Sequence, residues 1–127
     1  MHRLALPVVF RDRLRVGARL NPGQALVTIN GQYRLLLQPD GNLVLYDDVA
    51  RRDLWATNTV GTAGFLTVQS DGNLVLYNAQ GRDVWSSGTF GDSNAYLLVQ
   101  PDGNVVLYRG NAQVLWDRIS KPGGGGS

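Results

Sequence analysis

Five side chains recur at fixed offsets along this chain. They are Gln38, Asp40, Asn42, Val44 and Tyr46, then Gln69, Asp71, Asn73, Val75 and Tyr77, then Gln100, Asp102, Asn104, Val106 and Tyr108. The pattern Q-x-D-x-N-x-V-x-Y returns every 31 residues, from Gln38 to Gln69 to Gln100. Coincidence does not produce that three times, so the repeat is architectural. Each set holds one carboxylate acceptor, two amides that donate and accept, and a phenol, with a small apolar residue among them. Such a mixture suits reversible hydrogen bonding to a polyhydroxylated ligand, with the valine under a patch of C–H; sugars combine both surfaces. Turn formation alone accounts for Asp40 and Asn42, which flank Gly41. It does not account for Gln38 and Tyr46, four residues to either side of Asn42.

Other chemistries are poorly supplied. No cysteine is present, which removes disulfides, thiolate metal sites and thiol nucleophiles. The one histidine, His2, stands at the N-terminus, and all ten acidic residues are Asp. A glycosidase needs two carboxylates roughly 5–10 Å apart. A three-fold repeat puts Asp40, Asp71 and Asp102 on different faces, and Asp47 and Asp48 are strand neighbours that point apart. Asp-Gly-Asn resembles part of a calcium loop, but leucine and valine alternate where ligands should stand and no Glu closes the loop. Neither an enzyme nor a metal or cofactor site is expected. A net charge of +2 calls for no nucleic-acid partner. The longest apolar run, Leu4–Phe10, is too short to span a bilayer.

The elements that must position these residues are strands. One Lys, no Glu and 16 Gly make a poor helix former. Leu37–Asp47 reads LQPDGNLVLYD, and Asp-Gly between apolar runs signals a hairpin. In the first unit Gln24–Ile29, Tyr33–Gln38, Asn42–Tyr46 and Asp53–Thr57 read as strands. The second offers Phe65–Gln69, Asn73–Tyr77 and Asp83–Ser86; the third, Tyr96–Gln100, Asn104–Tyr108 and Val114–Trp116. Alternation puts Leu35, Leu37, Leu43 and Leu45 on a core face and the motif residues on an opposite, exposed face. The later units repeat this split. Trp55, Trp85 and Trp116 follow the motifs at the same period, so they are expected to cluster in the core. The expected fold is all-β, three antiparallel sheets about a pseudo-three-fold axis.

Residues 12–121 form the expected domain, with residues 1–11 as an N-terminal arm. Residues 122–127 end in GGGGS, an engineered-linker sequence, and are expected to lie outside the fold. Arg11, Arg13 and Arg15 alternate along one side of a strand, with Arg3 and Arg19 near. Charges of this kind protect an edge strand, and an acidic glycan or membrane surface is the other reading. No clear signal peptide precedes the domain.

With three intact motifs, and Trp55-Ala56-Thr57-Asn58-Thr59 after the first, the chain resembles the bulb-type, or monocot mannose-binding, lectin family from about Asp12 to Ile119. The resemblance implies a β-prism II fold of three four-stranded sheets with the tryptophans at its centre. It implies metal-independent binding of α-mannose in extracellular or cell-surface glycans. Asp40 and Asn42 would hold the 2-hydroxyl, Gln38 the 3-hydroxyl and Tyr46 the 4-hydroxyl, with Val44 on ring carbons. The same roles pass to the other two sets, giving three equivalent clefts. Plant members carry a disulfide whose positions match Gly41 and Gly64, so a cysteine-free chain suits a bacterial or engineered member. The family often exchanges its C-terminal strand between subunits, which makes a homodimer through Val114–Ile119 an expectation, with that strand completing the first sheet. Asp117-Arg118-Ile119-Ser120 departs from the Ala-Thr-Asn-Thr ending. The alternative is a targeting or assembly domain of a larger fusion or bacteriocin-like protein, whose own sugar binding is secondary.

Overall fold

The computed structural model describes residues 11–124, so of the N-terminal arm only Arg11 falls within the described residues. Twelve strands run in order among them. They are β1 (Arg13–Arg15), β2 (Arg19–Leu20), β3 (Ala25–Val27), β4 (Tyr33–Leu37), β5 (Leu43–Asp47), β6 (Arg52–Ala56), β7 (Phe65–Val68), β8 (Leu74–Tyr77), β9 (Asp83–Ser86), β10 (Tyr96–Val99), β11 (Val105–Tyr108) and β12 (Val114–Asp117). They form three four-stranded antiparallel sheets, ordered β3-β4-β5-β6, β2-β7-β8-β9 and β1-β10-β11-β12. This is the β-prism II architecture.

Each repeat supplies three strands and the N-terminal stretch supplies every fourth. Leu14, Leu20 and Leu26 stand six residues apart, and each is at most 1% exposed. They lie opposite Leu97, Leu66 and Leu35 respectively, so one short stretch gives a leucine to each sheet in turn. The expectation that Val114–Ile119 completes the first sheet is therefore corrected. All four strands of that sheet lie within residues 25–56, and β12 pairs with β11 of its own chain. The sheets fill without a strand from a neighbour.

The core face follows the expected alternation, with Leu35, Leu37, Leu43 and Leu45 all buried, as are their counterparts. A bulge after Leu45, and again after Leu76 and Leu107, inserts one residue into the last strand of each sheet. The bulge sets Trp55 opposite Leu45 on the core side while Asp53 faces Tyr46. The three indoles consequently meet, with ring centroids 5.3–5.7 Å apart.

Two indole N–H groups donate to the chain's last turn, Trp55 Nε1 to the Pro122 carbonyl and Trp116 Nε1 to that of Lys121, each at 2.8 Å. Pro122, expected to lie beyond the fold, thus takes part in it. The two positions that match the plant disulfide are closed to any side chain. A Cβ on Gly41 would stand 2.9 Å from the Thr62 carbonyl oxygen, and one on Gly64 2.3 Å from that of Asn78. Close backbone packing occupies both places.

Candidate functional site

Each motif starts at the end of one strand, turns through Asp-Gly and finishes on the next. In the first, Gln38 N–H donates to the Asn42 carbonyl at 2.9 Å and Gly41 N–H to that of Gln38 at 3.0 Å. This three-residue turn needs positive φ at its last position, and Gly41, Gly72 and Gly103 have φ of 94°, 90° and 88°. The Asp carboxylate braces the turn: Oδ1 of Asp40, Asp71 and Asp102 each accepts the Asn N–H two residues on, at 2.9 Å. Turn formation thus accounts for one Asp oxygen and leaves the other.

The turn folds Gln38 back beside Tyr46. The Gln38 amide donates to the Tyr46 hydroxyl, and Gln69 does the same to Tyr77. Gln and Tyr of a motif thus meet on the outer face of their sheet, and in the second motif Gln69, Asp71 and Tyr77 line one cavity. The expected exposure of that face is corrected for one member. Val44, Val75 and Val106 are 4%, 3% and 2% exposed yet stand apart from the leucine core. The Gln, Asn and Tyr residues are half-buried and only the Asp residues are exposed.

The asparagine is oriented by residues to which the sequence reading gave no role, although Thr57 and Thr59 stood in the stretch that carried the resemblance. Asn73 Oδ1 accepts from Ser87 Oγ at 3.2 Å, Gly88 N–H at 3.0 Å and Thr89 N–H at 3.2 Å. Asn42 Oδ1 likewise accepts from Thr57 Oγ1 and Thr59 N–H, both at 3.3 Å. With the carbonyl end saturated, the NH2 end is left for the cleft. The hydroxyl pairs Thr57/Thr59 and Ser87/Thr89 also tie down the turn: Thr59 and Thr89 donate to the Gly41 and Gly72 carbonyls at 2.8 and 2.7 Å. The signal was present as a second repeat, Thr-x-Thr and Ser-x-Thr, two residues after the tryptophan.

The third cleft departs from the other two, which corrects the expectation of three equivalent sites. Arg118 replaces the hydroxyl and donates to the Gly103 carbonyl at 3.3 and 2.8 Å through Nε and Nη2. Asn104 Oδ1 then accepts only from the adjacent Val105 N–H, at 2.9 Å. The Gln100 amide is reversed: Tyr108 donates to its Oε1, and Nε2 donates to both Asp102 oxygens at 3.2 Å. Donors that the first two clefts leave open are here used internally. Burial pushes the Tyr108 phenol above its ordinary value, and the neighbouring Tyr96, Asp102 and Asp117 add to the shift. At Asp117 burial pushes the carboxyl up. The N–H and hydroxyl groups of Ser120, the Asn104 amide and Ile119 N–H outweigh it, and the net direction is down.

A β-prism that carries the same polar motif on each of its three sheets defines a lectin scaffold. No protein-family model matches the chain. Among solved structures it is similar to a monomeric monocot mannose-binding lectin from Gastrodia elata, at 41% identity over 84% of this chain and 94% of that one, TM-score 0.74. It is similar to the snowdrop (Galanthus nivalis) mannose-specific agglutinin, at 42% identity over 76% and 88%, TM-score 0.68. The Marasmius oreades lectin matches at 31% identity over 85% and 90%, TM-score 0.78. A mannose-specific lectin of Narcissus pseudonarcissus is 49% identical over 45 residues, which is 35% of this chain and 38% of that protein's length. The chain belongs to the bulb-type, or monocot mannose-binding, lectin family.

Proposed function

We propose that the protein binds α-mannose residues of glycans, without catalysis and without metal, through its motif clefts. The observation that carries this reading is the locked asparagine. With Oδ1 saturated, Asn42 and Asn73 each present an NH2 donor beside the free oxygen of Asp40 or Asp71. A donor and an acceptor side by side match one sugar hydroxyl, which both gives and takes a hydrogen bond. Gln38 with Tyr46, and Gln69 with Tyr77, offer the same pairing to the next hydroxyls around the ring. The relatives named for mannose specificity support mannose as the sugar.

The clefts are shallow and polar, so one site should bind with a Kd on the order of millimolar, about −4 kcal/mol. Useful strength comes from several clefts engaging one branched glycan. Among the described residues no three His, Cys, Asp or Glu side chains gather as metal ligands. Isothermal titration with methyl α-mannoside tests the assignment. Asp71→Ala with Asn73→Ala should remove one binding equivalent, and an unchanged stoichiometry overturns the reading. Retention on mannan in EDTA is expected, and elution by EDTA alone would show that a metal is needed.

A further inference from the structure

The second cleft continues beyond its motif. Gln69, Asp71 and Tyr77 line one cavity of about 540 Å³ together with Phe65 and Arg19. Phe65 lies opposite Tyr77 on the neighbouring strand, ring centroids 5.1 Å apart, and Arg19 stands on the strand beyond, opposite Thr67. The Arg19 guanidinium lies 3.9 Å over the Phe65 ring. That stacking fixes a group that is otherwise exposed and free to wander. Arg19 makes no ion pair among the described residues, and residues 1–10 and 125–127 contain no acidic side chain. The first cleft has a guanidinium over an aromatic ring too, Arg34 over Tyr46 at 4.9 Å. There both donors are taken by the two Asp48 oxygens, at 3.0 and 3.1 Å. In the third sheet Arg15 lies 5.6 Å over Tyr96, which stacks on Tyr108, and it too makes no ion pair among the described residues; Arg19 differs in its closer stacking and in lining one cavity with motif residues.

We infer that Arg19 and Phe65 form an anion subsite of the second cleft, which takes the acidic group of a sugar attached to the bound mannose. The inference rests on the mannose reading for the occupant of the motif itself. Two strand spacings, about 10 Å, separate the strands of Arg19 and Tyr77, enough for a second sugar ring beside the first. Asp71, in the turn beyond Gln69, sets the direction: its carboxylate repels an anion there and accepts from a neutral hydroxyl. The oxyanion therefore seats against the guanidinium, whose planar fork fits a carboxylate, sulfate or phosphate alike.

The test compares a neutral α-mannobioside with the same compound carrying a carboxylate, a sulfate or a phosphate on its second ring. Binding is read by titration and by the NMR shift of the Arg19 Nε–H. The acidic forms should bind about threefold to fivefold tighter than the neutral one at low salt, the range of an exposed ion pair. That ratio should fall to one in Arg19→Gln and in 0.5 M salt, and the ranking of the three acidic forms identifies the preferred anion. Equal affinity for neutral and acidic forms, with an unmoved Arg19 signal, overturns the subsite and leaves the mannose reading intact. If the neutral compound fails to bind, the mannose reading falls. The Arg19 shift on adding the acidic compounds, present or absent, then decides the subsite by itself.

Discussion

Asn104 Oδ1 accepts from the adjacent Val105 N–H, whereas the matching Asn42 and Asn73 accept from the hydroxyls of Thr57 and Ser87. One exchange of neighbours divides the three clefts into two open sites and one that has satisfied itself. Asp102→Ala should therefore cost less mannoside binding than Asp71→Ala, with titration stoichiometry as the measure. Replacing Asp117 by Ala and Arg118 by Thr restores the local sequence of the first cleft, and should raise binding at the third.

The tryptophan triangle is the centre of the core, and its members are unequally buried. Trp116 is 1% exposed, Trp55 is 9%, and Trp85 is half-buried. Trp116→Ala should destabilise by about 3–5 kcal/mol, and Trp85→Ala by less. Urea denaturation followed by circular dichroism ranks them, and a larger loss at Trp85 would contradict the packing.

Removing residues 121–127 takes away the carbonyls that accept from Trp55 and Trp116. A buried indole donor left unpaired costs about 1–3 kcal/mol, less where water can enter. The truncated chain should fold, with a lower urea midpoint and indole emission shifted by new solvent contact. An unchanged midpoint would show that water serves as well as the chain.

Acid should weaken the fold in a defined window. Asp47 lies below its ordinary carboxyl value of 3.8, chiefly through the Ala50 N–H. Burial opposes this, while the Gln32 amide, the Val49 N–H and the Arg52 charge reinforce it. Asp117 lies below the same value, its donors outweighing burial. A carboxyl lower in the folded than in the unfolded chain contributes stability that is present above the unfolded value and lost as pH falls through the folded one. Thermal midpoints should be flat from pH 5 to 7 as far as these two groups are concerned and drop below about pH 4. Asp47→Asn should lower the neutral plateau and flatten the acid limb.

Much of this was legible in the sequence. The repeat at Gln38, Gln69 and Gln100 located the hairpins that carry the motifs, and alternation around Leu35 and Leu45 located the core face. The recurring Trp55, Trp85 and Trp116 located the centre. The edge strands were harder to read because a two-residue strand such as Arg19–Leu20 has no alternation of its own. The trace it left is the six-residue spacing of Leu14, Leu20 and Leu26. The altered third cleft was visible as Asp117-Arg118 but was read as a matter of dimerisation. Its effect acts through the hydrogen bonds from Arg118 to the Gly103 carbonyl, between residues 15 apart in sequence, which no local pattern displays.

The N-terminal stretch that lends one leucine to every sheet also governs the order in which the molecule can form. Leu14 must wait for Leu97, about eighty residues later, and such distant pairings slow folding. During synthesis the earliest strand is made first and seated last. A solenoid can add repeats one at a time, each resting on its neighbour. Here the second and third sheets borrow a strand made before the first repeat began, so no repeat can be cut out and expected to stand alone. The three sheets should therefore unfold together, so that loss of a strand reaches every motif, whereas a motif side chain can be changed singly.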